Sequence, residues 1–305
     1  MDEEDAYLRR GEEIDFQVLH GMLDRAPRIG PSIDWSAVEA AGLLHFVRGL
    51  PSATLVELLH APDPDVRDEV AFSELARRIS CGAEDENLVN LGEQMTDMFS
   101  DPEIQARTFA ALVLAEVVDR DRITGGAGEP AVLRWRDLFA AWFRAEQDLR
   151  GWDDRLGWLH AVAHGADALG SFGRSPRLGA DDLAGLLLLA RDRLLAPTTL
   201  LFANMEDERL ANAIALVLSR PELDAERATT WLDGFGERFT TGEPGPVPAE
   251  VSNALRTLRM LYVLADRGVR FPGTDGDNGI TVLPHGATVC EAVAGLLRLM
   301  WPYLG

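Results

Sequence analysis

Apolar residues recur along most of the chain at helical spacing, and alternating runs rich in Val, Ile and Thr are nearly absent. This pattern predicts an all-α protein. From Val66 to Ile79 the residues Val66, Val70, Phe72, Leu75 and Ile79 share one side, with Arg67, Asp68, Glu69, Arg77 and Arg78 largely elsewhere. Asp63-Pro64-Asp65 supplies a capping carboxylate and an early proline, and Asp101-Pro102-Glu103 repeats the device 38 residues later, ahead of a helix from Ile104 to Val118. That interval is close to the period of paired-helix repeats. Further helices are expected over Glu84 to Phe99, Leu156 to Phe172 after a turn at Gly151-Trp152, Met205 to Leu218, and Ala287 to Tyr303.

The expected fold is therefore a HEAT/armadillo-like stack of helical hairpins, an α-solenoid with a concave face. Residues 1–305 form one all-helical repeat domain in this reading. N-terminal helices occupy 1–50, a central repeat core 51–239, and capping helices 249–305. The segment Asp275 to Gly279 has the composition of a calcium loop, but its glycine and asparagine are out of phase and Gly286 stands where a bidentate Glu is needed. A tight polar turn is expected instead.

The charge balance removes several functions. Fifty acidic residues face 29 basic ones for a net charge of −21, and every basic residue is Arg. Without lysine there is no Schiff-base or pyridoxal-phosphate lysine and no P-loop nucleotide site. The acidic balance argues against a nucleic-acid partner, because clustered cations supply most of that affinity. A HEAT-like DNA-repair enzyme is accordingly an analogy of architecture alone. Cys81 and Cys290 belong to no paired motif, the chain opens on Met1-Asp2-Glu3-Glu4-Asp5, and no apolar run reaches membrane-spanning length. A soluble cytoplasmic protein is expected.

The densest polar cluster runs from Glu146 through Asp148, Arg150, Trp152 and Trp158 to His160, His164 and Asp167. On a helix, positions 160, 164 and 167 fall within about 60° of one another, while the intervening residues are small or apolar. Two imidazoles one turn apart with a carboxylate can hold one divalent metal, can act as a metal-free acid/base pair, or can form a hydrogen-bonded polar wall. The spacing leaves these three open. Glu69 and Glu208 are candidate cross-helix partners, with Glu69 also a candidate catalytic carboxylate. Arg67, Arg107, Arg150 and Arg209 are candidates to bind an anionic group, against the alternative of bracing helices through salt bridges. Trp152 and Trp158 are candidates for an apolar wall over a ligand. Trp35, Trp135, Trp142 and Trp231 read as core, and His20, His45, His60 and His285 as isolated. The expected partner is a small molecule or a protein segment.

Arg150-Gly151-Trp152, Gly157-Trp158, His160-Ala161, Ala163-His164 and Ala166-Asp167 resemble the hallmark of DUF2785, an uncharacterised bacterial family. Val66 to Glu69, Arg107-Thr108-Phe109 and Glu206 to Leu210 resemble its flanking helices, so the resemblance spans roughly residues 50–235. Leu159 and Thr108 depart from its pattern, which expects a small residue and Ser. The resemblance implies a helical fold and marks the central stripe as a family feature. It implies no particular activity.

Overall fold

The computed structural model describes residues 16–29, 32–35, 43–243, 245–270 and 279–304. It is mostly helical, and its few strands are two-residue pieces in hairpins. The chain opens with α1 (Phe16–Asp24), the pair β1 (Arg28–Ile29) and β2 (Ser32–Ile33), α2 (Leu43–Gly49) and α3 (Ser52–Leu58). Next comes α4, wound as a π-helix over Asp65–Phe72 and as an α-helix over Ser73–Cys81. Then follow α5 (Leu88–Asp97), α6 (Ile104–Thr124) and α7 (Glu129–Ala145). After a hairpin of β3 (Trp152–Asp153) and β4 (Gly157–Trp158) come α8 (Ala161–Arg174), α9 (Ala180–Leu195) and α10 (Glu206–Leu218). The chain ends with α11 (Arg227–Thr230), α12 (Phe235–Thr240), α13 (Ala249–Arg267), the pair β5 (Val269–Arg270) and β6 (Ile280–Thr281), and α14 (Gly286–Met300).

Both expected helix starts use the same device. The Asp65 amide donates to Asp63 Oδ1 at 2.9 Å, and the Glu103 amide to Asp101 Oδ1 at 2.8 Å. Each aspartate satisfies a donor that the helix's first turn cannot. The two also hold histidines read from sequence as isolated: His20 Nδ1 lies 3.2 Å from Asp63 Oδ2, and His60 Nε2 3.0 Å from Asp101 Oδ2. His285 Nε2 meets the Leu223 carbonyl at 3.0 Å.

Helix α8 packs on α6 on one side and on α10 on the other, α10 continues onto α13, and α13 onto α14. Helices α5, α7 and α9 form a second succession of contacts, α5 with α7 and α7 with α9. Small residues let α8 sit so close to both rows: a Cβ on Gly165 would overlap the Phe143 ring of α7, and one on Gly173 would crowd Val217 of α10. Between the rows lies an aromatic core of Trp135, Phe139, Phe143 and Phe172, all fully buried, with Phe139 stacked 5.5 Å from both Phe143 and Phe172. Burying each such ring contributes about 1.5–3 kcal/mol. Trp142 and Trp231 are buried as expected, while Trp35 is only half-buried.

Two expected elements differ. The helix placed from Leu156 begins instead at Ala161, because Trp152 to Trp158 fold into the β3/β4 hairpin. The span Glu84 to Phe99 is α-helical only over Leu88–Asp97, with single 3₁₀ turns at either end. Of the Asp275–Gly279 turn, residues 275–278 lie outside the described residues. No helix among the described residues is long and apolar enough to cross a membrane.

Candidate functional site

The β3/β4 hairpin builds the outer part of the site. Trp152 pairs across it with Trp158, and Asp153 with Gly157. Its turn is closed by Asp153, whose Oδ1 accepts the Arg155 amide at 2.9 Å and the Leu156 amide at 3.0 Å, and by Gly157 at φ +71°, a value that favours glycine. The two indoles meet edge to face, 4.7 Å between centroids, and stay 48% and 41% exposed. Large aromatic rings left this open on a hydrogen-bonded hairpin need an explanation that packing does not supply.

Arg67, from the π-wound turn of α4, anchors this hairpin from below. Its side chain is fully buried: Nη1 donates to the Ala61 carbonyl at 3.2 Å, and Nη2 to the carbonyls of Leu156 at 2.8 Å and Trp158 at 3.2 Å. Nε pairs with Asp68 Oδ1 at 2.7 Å, and Cζ lies 4.8 Å over the Phe109 ring. Burial pushes the Asp68 carboxyl up to about 6, against the pull of Arg67. Three backbone carbonyls accept from the guanidinium and the Asp68 carboxylate lies beside its Nε, so Arg67 is a brace.

From Trp158 the chain turns inward. The amides of Leu159 and His160 both donate to the Gly151 carbonyl, at 2.9 and 3.3 Å. His160 then takes the left-handed conformation, φ +52° and ψ +37°, immediately before α8. Its ring lies flat on Trp158 at 4.5 Å with planes 6° apart, and 5.4 Å from the ring of His164. His164, 4% exposed, donates from Nδ1 to the Thr108 carbonyl at 3.2 Å and meets Phe109 edge to face at 4.9 Å. A continuous ring succession thus descends from Trp152 through Trp158, His160 and His164 to Phe109. Burial, assisted by Arg209, lowers His160 to about 4 and holds His164 well below the usual imidazole range. Both rings are neutral at physiological pH.

The third residue of the expected stripe has another partner. Asp167 accepts both Nε (3.1 Å) and Nη2 of Arg209 from α10. Burial raises the Asp167 carboxyl although Arg209 opposes it. With this carboxylate engaged, the described residues contain no group of three His, Cys, Asp or Glu side chains disposed to hold a metal ion.

The remaining candidates are spread around this centre. Arg107 makes a bidentate pair with Glu146 at 2.7 and 3.1 Å, and Arg150 binds Asp148 and Asp153. Glu69 accepts the Trp35 indole N–H at 3.1 Å. Glu208 shares its interaction with Asp207, which is buried, pushed up to about 6 by burial and by Glu208, and paired to Arg256 at 2.6 Å. The four candidate arginines are therefore all engaged by oxygen atoms of the chain itself. Sequence reasoning missed Asp68 and Met205. Met205 is the one other described non-glycine residue in the left-handed region, at φ +65°; it caps α10 and is 64% exposed. The loop before α10 abuts the hairpin, since a Cβ on Gly151 would overlap Asn204 and Glu206. A surface depression of about 340 Å³ lies elsewhere, lined by Ala184, Leu188, Asp224, Arg227 and Trp231. Arg227 there is tied to Asp181 and Asp224.

Comparison with curated proteins and comparison with solved structures each give no match. The family model "Protein of unknown function (DUF2785)" matches residues 90–263, which contain the hairpin, both histidines, Asp167 and Arg209. Arg67 and the rest of α4 precede that match. More than half of the chain is covered, and the protein belongs to the DUF2785 family.

Proposed function

We propose that the protein is a soluble helical-repeat binding protein whose ligand, a small molecule or a protein segment, rests on the Trp152/Trp158 shelf above His160. The observation that carries this reading is the pair of half-exposed indoles on a rigid hairpin, continued inward by two uncharged imidazoles. Exposed aromatics on a preorganised support give contact area at little entropic cost. The HEAT-like reading of the fold is supported by the repeated Asp-Pro helix starts and by the two successions of helix contacts. In such a stack the shelf would lie on the concave side.

The test uses the seven tryptophans. Indole ¹⁵N–¹H spectra are recorded with ring-bearing fragments and short peptides. Binding should move the Trp152 and Trp158 signals, and Trp158→Ala should abolish the response. Shifts confined to Trp231, beside the other depression, would overturn the assignment.

An enzyme using the same cluster is the second reading. It is favoured by the His160 Nδ1 atom, buried with no hydrogen-bond partner, on a ring that is neutral and available for proton transfer. The metal-dependent form is weaker, because Asp167 is engaged by Arg209. A turnover lost in His160→Ala and His164→Ala at unchanged melting temperature would establish it.

A further inference from the structure

The hydrogen-bonding state of the two imidazoles restricts the ligand class, an inference that rests on the shelf reading. His164 Nδ1 donates to a backbone carbonyl, so the proton of this neutral ring is on Nδ1 and Nε2 carries a lone pair. That nitrogen has no partner among the described residues, on a side chain that is 96% buried by its 4% exposure. In His160 it is Nδ1 that is buried without a partner. A buried orphan N–H is the costlier arrangement, which assigns the lone pair to Nδ1 and the proton to Nε2. The two rings thus offer one acceptor, His164 Nε2, and one donor, His160 Nε2–H, with centroids 5.4 Å apart. The two rings are thus direct neighbours, tilted 55° to one another.

We propose that His160 and His164 read a hydroxyl group of a neutral ring-shaped ligand, which donates to His164 Nε2 and accepts from His160 Nε2–H while its ring lies against Trp152 and Trp158. A carboxylate would lack the donor, and an ammonium the acceptor. The charge that acts most on both rings, Arg209, is paired with Asp167. A sugar ring and an aromatic alcohol share this chemistry, both being flat on one side and bearing hydroxyls.

The experiment titrates the full-length protein with phenol and anisole, and with methyl glucoside and its fully O-methylated counterpart, following imidazole and indole ¹⁵N signals. The hydroxyl probe of at least one pair should bind roughly tenfold more tightly than its O-methyl partner, the worth of one good hydrogen bond in a buried setting, and should move His164 Nε2. His164→Phe keeps a ring beside His160 and removes the acceptor that only a free hydroxyl can satisfy, so the preference should collapse toward unity while anisole binding persists. His160→Phe keeps a ring on Trp158 and removes a donor that both members of a pair can use, so it should weaken both alike and leave the preference in place. Preference within the glucoside pair alone assigns the polyol class, and within the phenol pair alone the aromatic alcohols. Equal affinities within both pairs, with Trp152 and Trp158 perturbed, would overturn the hydroxyl reading and leave the shelf. No perturbation of either indole by any probe would overturn both.

Discussion

His160 lies flat against Trp158, two residues earlier, with 6° between the ring planes. Trp158 ends β4, and Leu159 between the two rings is fully buried. Had the helix begun at Leu156, the same two side chains would stand roughly 200° apart around its axis. The stack therefore depends on the hairpin extending through Trp158 and on His160 turning the chain into α8 with a left-handed backbone. The left-handed residue at the start of α10, Met205, follows the loop that packs on the same hairpin.

Met205→Gly is expected to stabilise the protein by about 0.5–1 kcal/mol. A non-glycine residue in this conformation costs of order 1 kcal/mol, and the methionine side chain is too exposed for its loss to offset the gain. Urea denaturation should show a higher midpoint for Met205→Gly and a lower one for Met205→Val. If glycine destabilises the protein, Met205 makes a contact that its exposure conceals.

Arg67→Met should cost about 3–5 kcal/mol, since it strands the Asp68 carboxyl and three carbonyl groups. Part of this loss should be recovered in Arg67→Met/Asp68→Asn, where no buried charge remains alone. Hydrogen exchange gives the local signature: the amides of Leu156 to His160 should lose protection first, since Arg67 holds that hairpin from α4. Uniform loss across the molecule would make Arg67 a general core residue instead.

The helix starts at Asp63 and Asp101 were legible because their determinants are local, an Asx contact within two residues followed by an amphipathic run. The hairpin was not. Leu156, Leu159 and Val162 satisfy helical spacing, and the groups that hold the segment extended are Asp153 in the turn and Arg67, which reaches Leu156 from 89 residues away. The same distance problem applies to the site. Sequence brings His160, His164 and Asp167 together, and the structure keeps the two imidazoles adjacent, but Arg209, 42 residues on, engages the carboxylate. Trp152 and Trp158 could be named from sequence, whereas their exposure depends on tertiary packing.

Acid should weaken the fold partly through the histidines. The folded values lie below the free imidazole value of 6.5, at about 4 for His160, so the unfolded chain binds more protons and stability is lost as pH falls through 6.5. Asp68 and Asp207 act in the opposite sense: raised from 3.8 to about 6, they penalise the fold above pH 6 and relieve it as pH drops toward 3.8. His160→Gln/His164→Gln removes only the first contribution. Its melting temperature should lie below that of the wild type at about pH 7, with the difference narrowing toward about pH 4.5. A constant difference would mean that the imidazoles take up protons in the folded protein as they do in the unfolded chain.

Asp167→Asn separates an ion pair from a metal ligand. In the ion-pair arrangement the amide keeps the shape but loses the charge that Arg209 meets, and stability should fall by about 1–2 kcal/mol. The zinc content of protein purified without chelator should be the same in wild type and variant, because the carboxylate faces a guanidinium and the described residues supply no third ligand to the two imidazoles. Stoichiometric zinc in the wild type that disappears in Asp167→Asn would show that Asp167 leaves Arg209 to complete a His-His-Asp centre. The same result in Arg209→Gln would be uninformative about ligation, since that substitution frees the carboxylate; the asparagine variant is therefore the one that distinguishes the two arrangements.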